Sequence, residues 1–289
     1  MEYTLEKLRE GIALAQLSEQ RKSFLETHWK TYLPQIKEYC RGIMVNWPAY
    51  PDNNGNLPLP QALSEEMQSV ILVASYCFLT RPAKEVYLAK GYSEALWREA
   101  MPDVTWHMHD NADGSFWMDT LTGFGWHFSI LTAVNITLGR LQFYLRECPV
   151  NCPQLGVKKG DAVLGFHIPA NGPLDIEACI ASFKRAQDLF DTLRPDYPFK
   201  AFYCLSWFLN PIYKKYLPPT SNIVRFQNLG ISVDFPNESK DAIRRVFMFG
   251  KEDVNTPNPR TTLQRILQTM IRNGESIAAG AIVIPRFQK

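Results

Sequence analysis

The sequence predicts an α/β fold, α+β when the chain is taken whole, in which a mainly helical first part is followed by strands that alternate with helices. Three observations carry this. Apolar residues recur at helical spacing between Leu5 and Met101. The composition then turns to Asp, Asn, Gly and Trp between Met101 and Gly125. Further on, a strand, a glycine-containing loop and a helix follow one another between Ala162 and Phe190. At 289 residues the chain has room for two cores, and it reads as a mainly helical domain over 1–128 and a second domain over 129–289.

Leu5, Leu8 and Ile12 share one face of an amphipathic helix that opens the chain, and Phe24 to Met44 continues in that style. Trp47 to Pro60, with four prolines and Asn53, Asn54 and Gly55, breaks regular structure and reads as a loop. Ala62 to Leu79 has no breaker in its apolar run and predicts a buried helix, with a shorter one over Glu94 to Met101. The DNADGSFWMD run favours turns and short strands.

In the second part, Leu138 to Glu147 alternates as a half-buried strand does, with Leu141, Phe143 and Leu145 on one side. KKGD, Lys158 to Asp161, is a turn. Ala162 to Ile168 is a short apolar strand closed by Pro169, and after ANGPLD a helix carries Ile176, Cys179, Ile180, Phe183 and Phe190, with Asp175 placed to cap it. Phe199 to Leu209 reads as a central strand ended by Asn210-Pro211. Arg225 to Phe235 and Arg244 to Phe249 are strand candidates. Thr261 and Gln264 form a capping box for a helix that Gly274 stops, and AGAIVIP supplies a last strand.

The charge balance narrows the function classes. Thirty-one Lys and Arg against 29 Asp and Glu leave +2, no field for a nucleic acid to follow. The first residues have no basic start, apolar run or cleavage site of a secretory signal, and no stretch reaches the roughly 18 apolar residues of a membrane helix. The chain therefore reads as cytoplasmic, with neither nucleic acid nor membrane as partner. Cysteines 40, 77, 148, 152, 179 and 204 show no disulfide framework and read as reduced and buried; Cys148 and Cys152, with three residues between them, are weighed as a bridge or metal pair.

Four ordered stretches, LGRLQF (138–143), LGFHIPANGPLD (164–175), CLSWFLNP (204–211) and SNIVRFQNLG (221–230), resemble the GNAT-like C-terminal acyltransferase domain, GNAT being the GCN5-related N-acetyltransferases, and the residues before them resemble the N-acyltransferase N-terminal domain that accompanies it. That resemblance implies a mixed sheet with helices on both sides. It implies acetyl-CoA or another acyl-CoA as cosubstrate, inserted where two strands splay, with its pyrophosphate on the next helix N-terminus. Carried onto this chain, the phosphate loop and its flanks are Ile168, Asn171, Gly172, Leu174 and Asp175. ANGPLD stands where the common pattern of Gln or Arg, two residues, Gly, one residue, then Gly or Ala would be, and Leu205 stands where family members often carry His.

Acyl transfer to a small-molecule amine, held between the domains, needs a base for the amine and a donor for the leaving thiolate. His167, at the end of the presumed cofactor strand, is the candidate base, set against a packed core histidine. Tyr203 or Ser206 is the candidate acid, with Tyr213 and Tyr216 behind them, each set against a packing role. Cys204 as a nucleophile competes with Cys204 as a small inert hydrophobe. Trp207 is packing or acyl pocket, and Arg140 pairs with a carboxylate or faces solvent. His107, His109, Asp110 and Asp113 suggest a metal, but a surface loop is the expectation, and no metal is assigned. Phe116, Trp106, Trp117 and Trp126 read as an aromatic cluster between the domains. The alternative to an enzyme is a non-catalytic GNAT-shaped module that binds a small molecule or a protein.

Overall fold

The computed structural model describes residues 1–46, 62–118, 125–233, 241–247 and 253–288. The proline-rich loop expected over 47–60 lies outside these residues. The chain divides into two compact units, residues 1–142 with 168–172, and residues 143–167 with 173–289.

The first unit is built on α4 (Glu65–Ala89), which starts at the Ser64 cap and is buried along most of its middle. Helix α1 (Leu5–Ala15) packs on it at Gly11, where a Cβ would lie 2.1 Å from the Cys77 carbonyl oxygen, so only glycine permits this approach. The expected helical run 24–44 is two helices, α2 (Glu19–His28) and α3 (Leu33–Asn46), parted by turns over Trp29 to Tyr32. Two buried aromatics of this unit have their polar tips satisfied: Tyr76 donates to Met101 O, and Trp97 of α5 (Glu94–Ala100) donates to Thr80 O.

A 3₁₀ helix, Met101–His107, leads into an antiparallel hairpin, β1 (Met108–Asp110) and β2 (Phe116–Met118), paired Met108↔Met118. Ser69 of α4 accepts from Met118 N and ties the hairpin down. Phe116 and Trp117 are buried, Trp117 stacked on His109 and Phe116 edge-on to Phe24, so these aromatics pack inside the first unit. Helix α6 (Gly125–Leu131) follows.

The second unit holds most of a six-stranded sheet of order β3-β4-β5-β6-β8-β7. The strand expected over 138–147 is broken in two, β3 (Ile136–Leu138) and β4 (Leu141–Glu147), because Gly139 turns the chain at φ 74°. Strand β5 (Ala162–His167) is followed by α7 (Ile176–Leu193), and β6 (Ala201–Ser206) lies parallel to β5. Helices α8 (Tyr213–Tyr216) and α9 (Asn222–Gln227) precede β7 (Ile231–Val233), α10 (Asp241–Val246) precedes α11 (Thr262–Arg272), and β8 (Gly280–Pro285) runs antiparallel to both β6 and β7.

Phe183 of α7 fixes one face of this sheet, with Phe143, Phe166, Phe202, Phe226 and Phe287 ranged around its ring. Burying a side chain of this size stabilises by about 1.5–3 kcal/mol. The opposite face carries Cys148, Cys152, Val157, Val163, Ala201, Tyr203, Ala281 and Val283. All six cysteines are free and buried, so Cys148 and Cys152 are packing residues and not a bridge.

Three strand expectations are corrected. Arg225 to Gln227 is the end of α9, because Ser221 accepts from Val224 N and turns Val224, Phe226 and Gln227 into a buried helical face; among the described residues of that stretch Ile231–Val233 is strand. Arg244 to Val246 is the end of α10, and 248–249 lie outside the described residues. The run Phe199 to Leu209 leaves the sheet early, since Trp207–Leu209 is a 3₁₀ turn.

Candidate active site

The parallel ladder between β5 and β6 opens with Lys200 N donating to Ala162 O and holds the pairs Leu164↔Phe202 and Gly165↔Tyr203. Strand β5 runs on to His167, while β6 runs on to Ser206 and stays paired with β8 as far as Ser206↔Gly280. The β5–β6 pairing thus ends at Gly165, two residues before β5 itself does.

Strand alternation decides which candidates share this opening. Val163, Gly165 and His167 fall on one face, with Ala201, Tyr203 and Leu205 beside them. Phe202 points to α7, and Ser206 shares its parity. Hence His167 and Tyr203 share the face opposite α7, and Ser206 does not.

Three aromatic and cationic groups furnish that face. A Cβ at Gly165 would stand 2.4 Å from the Tyr144 ring, so the missing side chain is what lets that ring lie on the strand. The Arg146 guanidinium sits 4.9 Å from the Tyr203 ring centroid and donates to the Tyr144 hydroxyl at 3.4 Å. Tyr203 is buried, and its hydroxyl has no hydrogen-bond partner among the described residues. Burial pushes its ionisation up to about 12 against the opposing charge of Arg146, so the hydroxyl keeps its proton.

The same physics answers for Cys204. Burial pushes the thiol up to about 12, and a thiol that stays protonated is no nucleophile near neutrality. Of the further tyrosines, Tyr213 is buried with its ionisation raised by desolvation, and Tyr216 donates to Glu275.

After β5 the segment 168–172 groups with the first unit. Gly172 stands at φ 141°, a conformation that favours glycine. Arg140 does more than face solvent, for it reaches this segment. Its Nη1 donates to Pro169 O at 2.8 Å and to Asn171 Oδ1 at 2.7 Å, and its Nη2 donates to Gly172 O at 3.0 Å. Asp175 caps α7 as expected, Oδ1 accepting from Ala178 N at 2.7 Å. Ile168 and Leu174 are half-buried.

The histidine cluster weighed as a metal set is rearranged. His109 stacks on Trp117, Asp110 pairs with Arg21 at 2.6 Å, and Asp113 accepts from Ser115. His107 turns instead toward His127, ring centroids 4.7 Å apart, because the 3₁₀ helix ends between it and His109. Asp103, His107 and His127 bring ligand atoms within 4.8 Å of one another. His127 Nδ1 donates to Asp103 Oδ2 at 2.6 Å, and Gln142 donates to Asp103 Oδ1 at 2.6 Å. Two donors on one tetrahedral ion stand about 3.3 Å apart; the shorter Asp103–His127 contact is a hydrogen bond, and both carboxylate oxygens are engaged. The sequence reading missed this group, two of whose members are buried, because His127 lies far along the chain from Asp103 and His107.

A mixed sheet whose parallel strands part before a capped helix defines a protein of the GNAT fold class. Residues 136–283, just over half of the chain, match the family described as the GNAT-like C-terminal domain, and the chain belongs to that family. Solved structures with the same fold include an acyltransferase mutant in complex with octanoyl-CoA (TM-score 0.80, 18% identity, 99% of this chain and 90% of that one). An acyltransferase in complex with decanoyl-CoA and teicoplanin aligns with a TM-score of 0.79 at 18% identity over the same shares. An acyltransferase in complex with decanoyl-CoA aligns at 0.63 and 22% identity, over 97% and 86%. No curated protein matches the chain in sequence.

Proposed function

We propose that this protein is an acyl-CoA-dependent N-acyltransferase in which a small-molecule amine attacks the thioester directly. The observation that carries this reading is the parting of β5 from β6 at Gly165 and Tyr203, with His167 and Tyr203 on one face beyond it. The thioester carbonyl enters that opening. His167 takes the proton from the attacking amine, the amide C–N bond forms, and the C–S bond breaks. Tyr203, whose hydroxyl stays protonated and unpartnered, gives its proton to the departing thiolate. The diphosphate lies on the backbone amides of Asn171, Gly172 and Leu174, Pro173 having no N–H, Asp175 N donating to Pro173 O and Ala178 N being taken by the Asp175 cap.

The fold neighbours were solved with octanoyl-CoA, decanoyl-CoA and, in two cases, teicoplanin or its 10C form. Medium-chain acyl-CoAs are therefore the first donors to try beside acetyl-CoA, and a small molecule bearing an amine is the acceptor class. Release of free CoA thiol in the presence of an amine panel tests the reading. His167→Gln is expected to lower kcat by about 10² or more. Wild-type turnover in that variant removes His167 as the base. Donor binding with no turnover for any amine leaves a non-catalytic binding module in place of the enzyme.

A further inference from the structure

We infer that Arg140 is the positioning residue of the diphosphate loop, and that its guanidinium replaces the glycine-rich backbone this chain lacks; the inference rests on the acyltransferase reading above. The loop has one glycine, Gly172, between Pro169 and Pro173. Backbone freedom alone does not select one shape for such a segment. Arg140 does, because it leaves the β3–β4 turn at Gly139 and spends three donated hydrogen bonds on it, at Pro169 O, Asn171 Oδ1 and Gly172 O, all at 2.7–3.0 Å.

The electrostatic consequence follows from which atoms are held. Carbonyl oxygens are the negative ends of their dipoles, and an anion is repelled by any that face it. With two backbone carbonyls and one side-chain amide oxygen drawn onto a cation, three acceptor ends of the loop are turned to Arg140. The same cation adds a favourable charge to the anion's surroundings. A planar fork reaches three oxygens at fixed angles, which a lysine ammonium on a flexible stem does not reproduce.

Arg140 therefore acts on the diphosphate end of the donor and not on the pantetheine end, and two ligands separate these. Calorimetric affinity for CoA and for pantetheine, which has no diphosphate, is compared in wild type, Arg140→Lys, Arg140→Ala and the milder Asn171→Ala, with melting temperature recorded for each. Both Arg140 variants are expected to weaken CoA about tenfold or more and to weaken pantetheine by less than about twofold, with Asn171→Ala falling between them and wild type. Equal losses for CoA and pantetheine make Arg140 a purely structural residue and overturn the inference, as does an unchanged CoA affinity. If wild type binds CoA and the variants match it, only the role of Arg140 falls. If wild type binds no CoA at all, the acyltransferase reading falls and takes this with it.

Discussion

Asp103 shows how one residue reports its surroundings. Burial alone would raise its carboxyl, yet the hydrogen bond and charge of His127, the charge of His107 and the Gln142 amide outweigh that and hold it below the usual range. An unfolded Asp titrates near about 3.9, so below that pH the unfolded chain binds the proton that the native state refuses. Stability from this group is complete above about pH 4 and fades as the pH falls through the lower folded value. Denaturant melts from about pH 6 down to about pH 2.5 should show the advantage of wild type over Asp103→Asn shrinking steadily in acid. Near neutrality the variant should be less stable by about 1–3 kcal/mol, since a buried carboxylate that accepts from His127 and Gln142 is gone. A constant gap across the range would mean that the Asp103 carboxyl is not held below its usual range. No local pattern announces this residue: Met101 to Asp110 reads as part of a stretch of turns and short strands, and the partners of Asp103 sit 24 and 39 positions away.

At the scale of elements, packing faces and caps decided what propensity did not. Val and Phe in NIVRFQ favour a strand, but the Ser221 cap and the buried side of α9 prevail over that preference. Where the local signal was strong it was right: Asp175 caps α7, and Thr261 and Gln264 form the capping box of α11. The α1–α4 crossing is the most demanding contact, because Gly11 meets backbone and not the end of a flexible side chain. Gly11→Ala has to push the two helices apart, with an expected loss of about 1–3 kcal/mol or more in thermal melts. A melt equal to wild type would mean that the helices have room that the structure denies them. The sequence marks Gly11 only as a small residue in a helix; its need appears when Cys77 arrives from another helix.

The whole molecule is two units whose contact division falls inside β4 and returns 168–172 to the first. The boundary near residue 128 rests on composition and stands as a reading of the chain. Among the described residues no helix is long and apolar enough to cross a membrane; α4, the longest, has its apolar middle within the protein. A ligand that binds only the native chain raises the stability of all the structure that unfolds with its site. An acyl-CoA present at 100 times its Kd should therefore stabilise by about 2.7 kcal/mol in a thermal shift. No shift with acetyl-, octanoyl- or decanoyl-CoA would count directly against the proposed cosubstrate.

Periodicity, caps and breakers are local, and from them the chain alone determined the opening helix, the β5–loop–α7 order and the α11 box, while the resemblance of four ordered blocks pointed to its family. Pairing is not local. Only the folded chain decided that β5 leaves β6 at Gly165, that Tyr203 rather than Ser206 shares a face with His167, and that Arg140 reaches across to the loop at Gly172, because each depends on register and on side chains brought together from distant positions.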